Sequence, residues 1–99
     1  MRTLLVTASL VASFAAGLAQ AAGDTVAGKA KAEECALCHG DRGEGLEAPK
    51  ISGKTESELL QAMRDYKSGK RQDAAMKEAL SKLSDQDLAN LAAYYASMK

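Results

Sequence analysis

The chain has 99 residues, 13 basic and 13 acidic side chains that cancel at neutral pH, and only 4% aromatic residues. A chain of this length forms one small domain whose own core contributes only a few kcal/mol, so an additional stabilising group is expected. The balanced charge excludes the basic footprint that is typical of nucleic-acid-binding proteins.

The first segment has the composition of an export signal. Arg2 is followed by apolar and small residues as far as Leu18, and residues 19–21 have the small-x-small form of a cleavage site. A membrane anchor is the alternative, but the apolar run is short and no basic stop-transfer sequence follows it. We therefore expect residues 1–21 to be a cleaved signal peptide and residues 22–99 to form a single periplasmic domain with no membrane span.

The next segment predicts one helix and then a long loop. Asp24 is a suitable cap for a short helix over residues 25–34. Residues 40–54 are expected to be irregular, because "GDRGEG" contains three glycines and Pro49 is the only proline of the chain. A long loop in so small a domain is expected to enclose a ligand.

The second half predicts three more helices. Thr55 and Glu58 form a capping-box pattern, and Gly69 ends the helix that this pattern begins. A short helix is expected over about residues 74–80, and Ser84 is the cap of the last helix. The apolar faces of the two longer helices consist of Leu59, Leu60, Met63 and Tyr66, and of Leu88, Leu91, Ala92 and Tyr95. Because no stretch alternates as a strand does, the sequence predicts an all-α domain of three to five helices.

Both cysteines and the only histidine of the chain lie within "CALCH", from Cys35 to His39. The C-x-x-C-H pattern is the signature of c-type haem attachment. Two thiols three positions apart on a helical turn reach the two vinyl groups at one edge of the porphyrin, where each forms a thioether. His39 then lies beneath the iron and ligates it through Nε2. The expected cofactor is therefore one covalently attached haem c, bound through Cys35 and Cys38.

Three other interpretations of this motif are weaker. A disulfide between Cys35 and Cys38 would close a very small loop and stabilise the fold little. A structural zinc site needs four protein ligands, whereas the chain offers only two cysteines and one histidine. A thioredoxin-like redox pair needs a βαβ unit, which a helical chain lacks. A phosphate-binding loop at Gly53 is also excluded, because Ala48 replaces the first glycine of that motif.

Several stretches of the chain together resemble one family. The segments "CALCHGDRGEG", "APKISG", "YKSGKR" and "LSDQDLANLAAYYAS", with a methionine before the last of them, resemble small bacterial class I cytochromes c. The resemblance is to the c553, c5 and c4 group and to the haem subunits of flavocytochrome c sulfide dehydrogenases. It covers nearly all of residues 22–99 and implies the cytochrome c fold, in which three to five helices wrap around the attached haem.

The resemblance implies that a methionine before the final helix is the second axial ligand of the iron. Met63 lies on an apolar helix face, where packing explains it, and Met98 lies next to the C-terminus, where chains fray. Met76 follows the polar loop and precedes Ser84, as the family ligand does. We therefore expect His39 and Met76 to be the axial pair, with Met63 as the alternative. Such a pair raises the haem potential, because the thioether favours ferrous iron.

The resemblance assigns roles to four further residues. The Pro49 carbonyl would accept the Nδ1 proton of His39, and Ile51 would line the haem face. Tyr66 and Arg71 would hydrogen-bond the haem propionates. The simpler alternatives are that Pro49 is a loop turn, Ile51 an ordinary buried residue, and Tyr66 and Arg71 surface residues.

The resemblance also implies that the first and last helices cross at Gly28, which would contact Leu91 and Tyr94. A small residue at this position allows the two helix backbones to approach closely. The sequence departs from the family pattern nearby, because Ala32 stands where an aromatic residue is usual. We therefore expect a repacked crossing.

The expected function is that of a periplasmic monohaem electron carrier, which is not itself an enzyme. Its partners would be other cytochromes, a flavoprotein, or a terminal oxidase or reductase. The alternative is a haem subunit of a periplasmic oxidoreductase such as flavocytochrome c sulfide dehydrogenase. A gas sensor would need a vacant sixth site, and a peroxidase would need a spare histidine or paired carboxylates, which the chain lacks near the site.

Charge is distributed unevenly along the chain. Residues 22–49 carry three basic and six acidic side chains, a net −3, whereas residues 50–77 carry seven basic and four acidic ones, a net +3. Such asymmetry suits docking to a charged partner. The basic residues nearest to the Met76 loop, which would steer acidic partners towards the haem edge, are Lys67, Lys70, Arg71 and Lys77.

Overall fold

The computed structural model describes residues 23–98, so the predicted signal peptide, residues 1–21, lies outside the described residues. Five helices follow one another in the chain: α1 (Thr25–Lys31), α2 (Glu33–His39), α3 (Glu56–Ser68), α4 (Ala74–Ser81) and α5 (Asp85–Ala96). The described part of the chain contains no strand, which confirms the all-α prediction. Within residues 23–98, no helix combines the length and the hydropathy that crossing a bilayer requires.

Four of the five helices begin at a residue whose side chain caps them. The side-chain oxygens of Asp24, Thr55, Asp73 and Ser84 each accept a backbone N–H of the first turn that follows. The box at Ser84 is complete, because the Asp87 carboxylate accepts the Ser84 backbone N–H in return. The box at Thr55 is only half formed, since the Glu58 carboxylate accepts the Thr55 hydroxyl and not its backbone N–H.

The sequence predicted a single first helix over residues 25–34, and this prediction is wrong. The chain forms two helices there, which meet at Ala32. The Ala32 N–H donates to the Lys29 carbonyl, three residues back, and this tighter turn ends α1. Ala32 is buried against the core, so packing of this residue holds the junction in place. As a consequence, Cys35, Cys38 and His39 all lie on the separate helix α2.

The core forms around α5, which packs against both α1 and α3. The fully buried leucines Leu88 and Leu91 lie on this helix, and α3 contributes Leu59 to the same core. The α1–α5 crossing occurs at Gly28, as expected. A Cβ there would overlap the carbonyl oxygen of Asn90 and lie 2.8 Å from Tyr94 Cβ. The expected contact with Tyr94 is confirmed, and the Asn90 backbone lies closest to this position.

Candidate functional site

A cleft lies among α2, the loop that follows it, α3, α4 and α5. It consists of two adjoining cavities of about 380 and 630 Å³. The residues that line both cavities are Cys35, His39, Ala48, Pro49, Asp73, Met76 and Leu80. Because they share this wall, the two cavities are halves of one site.

The predicted site residues converge on this cleft. The first cavity is lined by Cys35, His39, Pro49, Ile51, Tyr66, Arg71 and Met76. Cys38 lines the second cavity, beside Cys35 and His39. The fold thus brings together side chains from four separate stretches of sequence that the motif alone could not place next to one another.

His39, the last residue of α2, is 7% exposed and held in one orientation. Its Nδ1 lies 2.7 Å from the Pro49 carbonyl oxygen. A carbonyl only accepts hydrogen bonds, so Nδ1 carries a proton, and in the neutral imidazole the lone pair then lies on Nε2. Such an outer hydrogen bond fixes both the tautomer and the ring direction of a metal-ligating histidine.

The loop after α2 is tied back onto the end of that helix. The Gly45 N–H donates to the His39 carbonyl at 2.6 Å, and the Ala48 N–H donates to the Cys38 carbonyl at 2.9 Å. Gly40 begins this loop with a φ of 95°, which favours glycine over residues that have a Cβ. These bonds fix the path of the chain between His39 and Pro49, and they thereby position the Pro49 carbonyl that orients the imidazole.

The two cysteines differ in their surroundings. Cys35 is half-buried and Cys38 is exposed, and the two thiols are not joined to each other. Burial raises the pKa of the Cys35 thiol, and the Tyr95 hydroxyl partly offsets this rise. Among residues 23–98, no group of three or more His, Cys, Asp or Glu side chains is arranged to hold a metal ion. The arrangement suits covalent attachment better than a cage of protein ligands.

The three methionines of the described chain occupy different positions. Met76 lies in the first turn of α4, is half-buried, and lines both cavities together with His39. Its N–H is bonded to the Asp73 carboxylate at 3.0 Å, which anchors the helix start. Met63 lines only the first cavity and packs against the buried core. Met98 packs against that core and does not line the cleft.

Tyr66 and Arg71 form a stacked pair at the first cavity. The Arg71 guanidinium carbon lies 4.4 Å from the centroid of the Tyr66 ring, which is cation–π geometry. The Arg71 backbone N–H donates to the Asp65 carbonyl at 3.0 Å. No carboxylate of residues 23–98 forms an ion pair with Arg71, so its guanidinium donors are available to a bound anion.

Several residues of the cleft were not assigned to the site from the sequence, among them two lysines and a tyrosine. Lys50 and Lys54 line the first cavity and add positive charge to it. The sequence signal that could have identified the two lysines is their position beside Pro49 and Ile51 in "PKISGK". Tyr95 also lines this cavity, although its spacing indicated only a packing role on α5. Its hydroxyl is buried without a hydrogen-bond partner among the described residues.

The cleft fits a haem group on several independent counts. Leu59, Leu80 and Leu91 provide apolar walls for a flat ring. A histidine nitrogen with a free lone pair and a methionine sulfur are the axial ligands found in c-type cytochromes. The cationic side chains at the first cavity suit carboxylates, and the Tyr95 hydroxyl lacks a partner that a bound group can supply.

Comparisons with known proteins point the same way. The cytochrome c family model matches residues 21–99. Cytochrome c4 from Pseudomonas aeruginosa is 48% identical over 101 residues, which cover 100% of this chain and 50% of that protein. Cytochrome c-554(548) from Halomonas halodenitrificans is 37% identical over 83 residues, which cover 79% of this chain and 100% of that protein.

A solved structure shows the same fold. The crystal structure of reduced recombinant cytochrome c4 from Pseudomonas stutzeri matches with a TM-score of 0.74 and 38% identity, over 79% of this chain and 47% of that chain. The present chain therefore spans about half the length of the cytochrome c4 relatives that it matches. The family carries covalently bound haem c, in agreement with the C-x-x-C-H motif and the cleft. By its sequence, its fold and the residues around its cleft, the chain belongs to the cytochrome c family.

Proposed function

We propose that this protein is a periplasmic monohaem cytochrome c that carries single electrons between redox partners and is not itself an enzyme. The observation that supports this most strongly is that His39 and Met76 line the same cleft beside both cysteines of the attachment motif. Bound haem c supplies one iron that alternates between the ferric and ferrous states. Two side-chain ligands leave no open coordination position for oxygen or a substrate, so the site suits electron transfer rather than bond activation.

Different residues of the cleft would hold different parts of the haem. Cys35 and Cys38 would anchor it covalently, and His39 would ligate the iron through Nε2. The Pro49 carbonyl holds His39 in the required tautomer. Met76 would provide the second axial ligand, and Tyr66 with Arg71 would hold the propionates. The apolar walls exclude water, which disfavours the more highly charged ferric state and raises the potential.

The axial pair is tested by visible spectra of the purified, haem-loaded protein in its oxidised and reduced states. The wild type and a Met63→Ala control should both give a low-spin His/Met spectrum. Met76→Ala should lose the ferric methionine-to-iron band. Its midpoint potential should decrease, by an amount smaller than the roughly 0.8 V range that axial ligands span. An unchanged Met76→Ala spectrum, or loss of the band in Met63→Ala alone, would contradict the assignment.

The periplasmic location rests on the sequence pattern of residues 1–21. It predicts that the protein purified from the periplasm begins near Ala22. Mass spectrometry of the intact haem-loaded protein measures this directly. A mature protein that retains Met1, or one found only in the cytoplasmic fraction, would contradict it.

The exposed basic residues close to Met76 in the chain form the surface most suited to an acidic partner. Lys77 Nζ lies 3.5 Å from where a Cβ of Gly69 would stand, close to Lys70 and Arg71 in the chain. Lys67, in contrast, donates to the Leu83 carbonyl and thereby ties α3 to the loop before α5. We therefore assign the docking charge to Lys70 and Lys77, because Arg71 is assigned to the propionates and Lys67 is engaged in this contact.

A second candidate function is that of a haem subunit held permanently in a periplasmic oxidoreductase. It is favoured by Leu37 and Leu46, which are 75% and 67% exposed. Leu37 precedes Cys38, and the Leu46 N–H bonds to the Ala48 carbonyl in the loop tied to Cys38. Gel filtration of the protein from its native periplasm separates the two functions. A free carrier elutes at the mass of one small chain, whereas a subunit elutes with its enzyme and with that enzyme's cofactor absorbance.

A further inference from the structure

Tyr95 carries a buried hydroxyl that nothing in the described polypeptide satisfies. The residue is 3% exposed, and its oxygen has no hydrogen-bond partner among residues 23–98. The ring is held firmly, edge-on to Tyr94 with 5.1 Å between centroids. A Cβ on Gly43 would lie 2.8 Å from Tyr95 Cδ1, so the other side of the ring has no spare room. Native structures pair nearly all such buried groups, so this hydroxyl requires a partner.

The hydroxyl lies at the cleft, close to the Cys35 thiol. Tyr95 and Cys35 line the same cavity, and Cys35 packs against the buried cluster that contains Tyr95. Burial raises the pKa of Tyr95, and the neighbouring Cys35 raises it further. The phenol therefore keeps its proton at neutral pH and acts as a hydrogen-bond donor.

The two carboxylates that line this cavity lie in exposed positions and each already accepts a hydrogen bond. The Asp73 carboxylate accepts the Met76 N–H, and the Glu58 carboxylate accepts the Thr55 hydroxyl. Both residues are exposed, unlike the Tyr95 hydroxyl. The His39 Nδ1 proton is bonded to Pro49, and its Nε2 lone pair is reserved for the iron in the proposed site. The sulfur of Cys35, which lines the same cavity and packs against the cluster that contains Tyr95, offers a half-buried acceptor beside the phenol.

We propose that Tyr95 is a positioning residue for the haem, whose hydroxyl donates a hydrogen bond to the Cys35 sulfur once that sulfur has become a thioether. The inference rests on the proposed attachment at Cys35. A thiol sulfur both donates and accepts weakly, whereas a thioether sulfur has no proton and only accepts, so attachment leaves Cys35 as an acceptor alone. The bond fixes the Cys35 end of the haem against α5, while Cys38 at the exposed end has no comparable tether.

The test uses the haem-loaded protein in its reduced, diamagnetic state, with Tyr95→Phe as the variant. Phenylalanine keeps the buried ring and removes only the hydroxyl. NMR should show a slowly exchanging Tyr95 hydroxyl proton in the wild type. The Cβ resonance of Cys35 should move in Tyr95→Phe, while that of Cys38 stays in place. Tyr94→Phe is the matched control on the same helix and should move neither resonance.

A second measurement tests whether the effect of the Tyr95 hydroxyl on stability depends on the Cys35 sulfur. In Cys35→Ala, the haem is held by Cys38 alone. Tyr95→Phe should change the unfolding equilibrium constant several-fold, and up to about tenfold, in the wild-type background and much less in the Cys35→Ala background. An equal effect in both backgrounds, or a Cys35 resonance that does not respond to Tyr95→Phe, would overturn the proposal.

Mass spectrometry of the haem peptide distinguishes this failure from failure of the proposed function. If the haem is not bound to Cys35 in the wild type, both the attachment and the role of Tyr95 are wrong. If the haem is bound to Cys35 but the Tyr95 variants show no coupling, only the role of Tyr95 is wrong.

Discussion

His39 donates its Nδ1 proton to the carbonyl oxygen of Pro49 across 2.7 Å. The two residues belong to different structural units, the end of α2 and the loop that follows, and two backbone hydrogen bonds tie that loop to α2. The carbonyl is a main-chain group, so it survives any substitution at position 49. What the proline adds is stiffness, because its ring restricts φ.

Pro49→Ala should therefore loosen the loop without removing the hydrogen bond. The expected loss is about 0.4–1 kcal/mol of unfolding free energy, through the added freedom of the unfolded chain. Denaturant unfolding of the haem-loaded protein measures this loss, and its visible spectrum should stay low-spin. Glu47→Ala, at an exposed position of the same loop, should change the stability by less. Loss of the histidine-ligated spectrum in Pro49→Ala would show that the ring itself positions His39.

Gly28→Ala tests the close approach of α1 and α5. On an open helix face, alanine would stabilise by about 1 kcal/mol relative to glycine. Here the new Cβ would overlap the Asn90 carbonyl oxygen and press on Tyr94, so we expect a net loss of about 1–3 kcal/mol. Thermal unfolding of the haem-loaded protein provides the measurement. Ala30→Gly, at an exposed position of α1, should cost only the propensity difference, and a stabilised Gly28→Ala would refute the close crossing.

Arg71→Gln tests whether the cation at the first cavity acts on the haem. Removing a nearby positive charge stabilises the ferric state more than the ferrous state, because the ferric iron carries one more positive charge. The midpoint potential should therefore fall by an amount on the order of tens of mV. Lys70→Gln removes the same charge from the neighbouring exposed position, which does not line the cavity. Redox titration should show a clearly smaller shift in Lys70→Gln. Equal shifts in the two variants would mean that only the overall charge matters.

Asp87→Asn tests the charge at the start of α5. The Ser84 backbone N–H donates to this carboxylate and holds its pKa below the ordinary value, with Lys31 at 3.7 Å also lowering it. A carboxyl whose pKa is lowered by folding stabilises the fold above its unfolded pKa and loses that contribution as the pH falls through its folded pKa. The unfolding free energy of the wild type should exceed that of Asp87→Asn by about 0.5–1 kcal/mol at neutral pH. The difference should decrease as the pH falls through the lowered folded pKa of Asp87.

Asp85→Asn provides the matched control for that experiment. It removes one negative charge from the same first turn, but no hydrogen bond joins Asp85 to the cap. Denaturant unfolding at several pH values should show a smaller and flatter difference for Asp85→Asn. A pH dependence that is the same for both variants would contradict a specific role of the Ser84–Asp87 box.

Short-range features of this protein were readable from the sequence. Ser84 and Asp87 lie three residues apart and close their own hydrogen-bonded ring, and Gly69 adopts its left-handed φ of 89° without help from distant residues. The C-x-x-C-H motif is equally local, since its chemistry needs only one helical turn. Such features are set by a few neighbouring residues, so the amino-acid order alone determined the all-α class, most of the helix starts and the attachment motif.

Other features depend on which distant surfaces meet, and only the tertiary structure decided them. Ala32 ends α1 because it is buried in the core, and a helical pattern of sequence does not show where such burial occurs. The sequence favoured Met76 over Met63 as the ligand, but only the structure shows that Met76 lines both halves of the cleft and Met63 lines one. The sequence indicates only a packing role for Tyr95. The structure shows that the Tyr95 hydroxyl lies beside Cys35 and has no partner in the described chain. Long-range packing sets these positions, because side-chain spacing on a helix tells which face is buried and not which residue will face it.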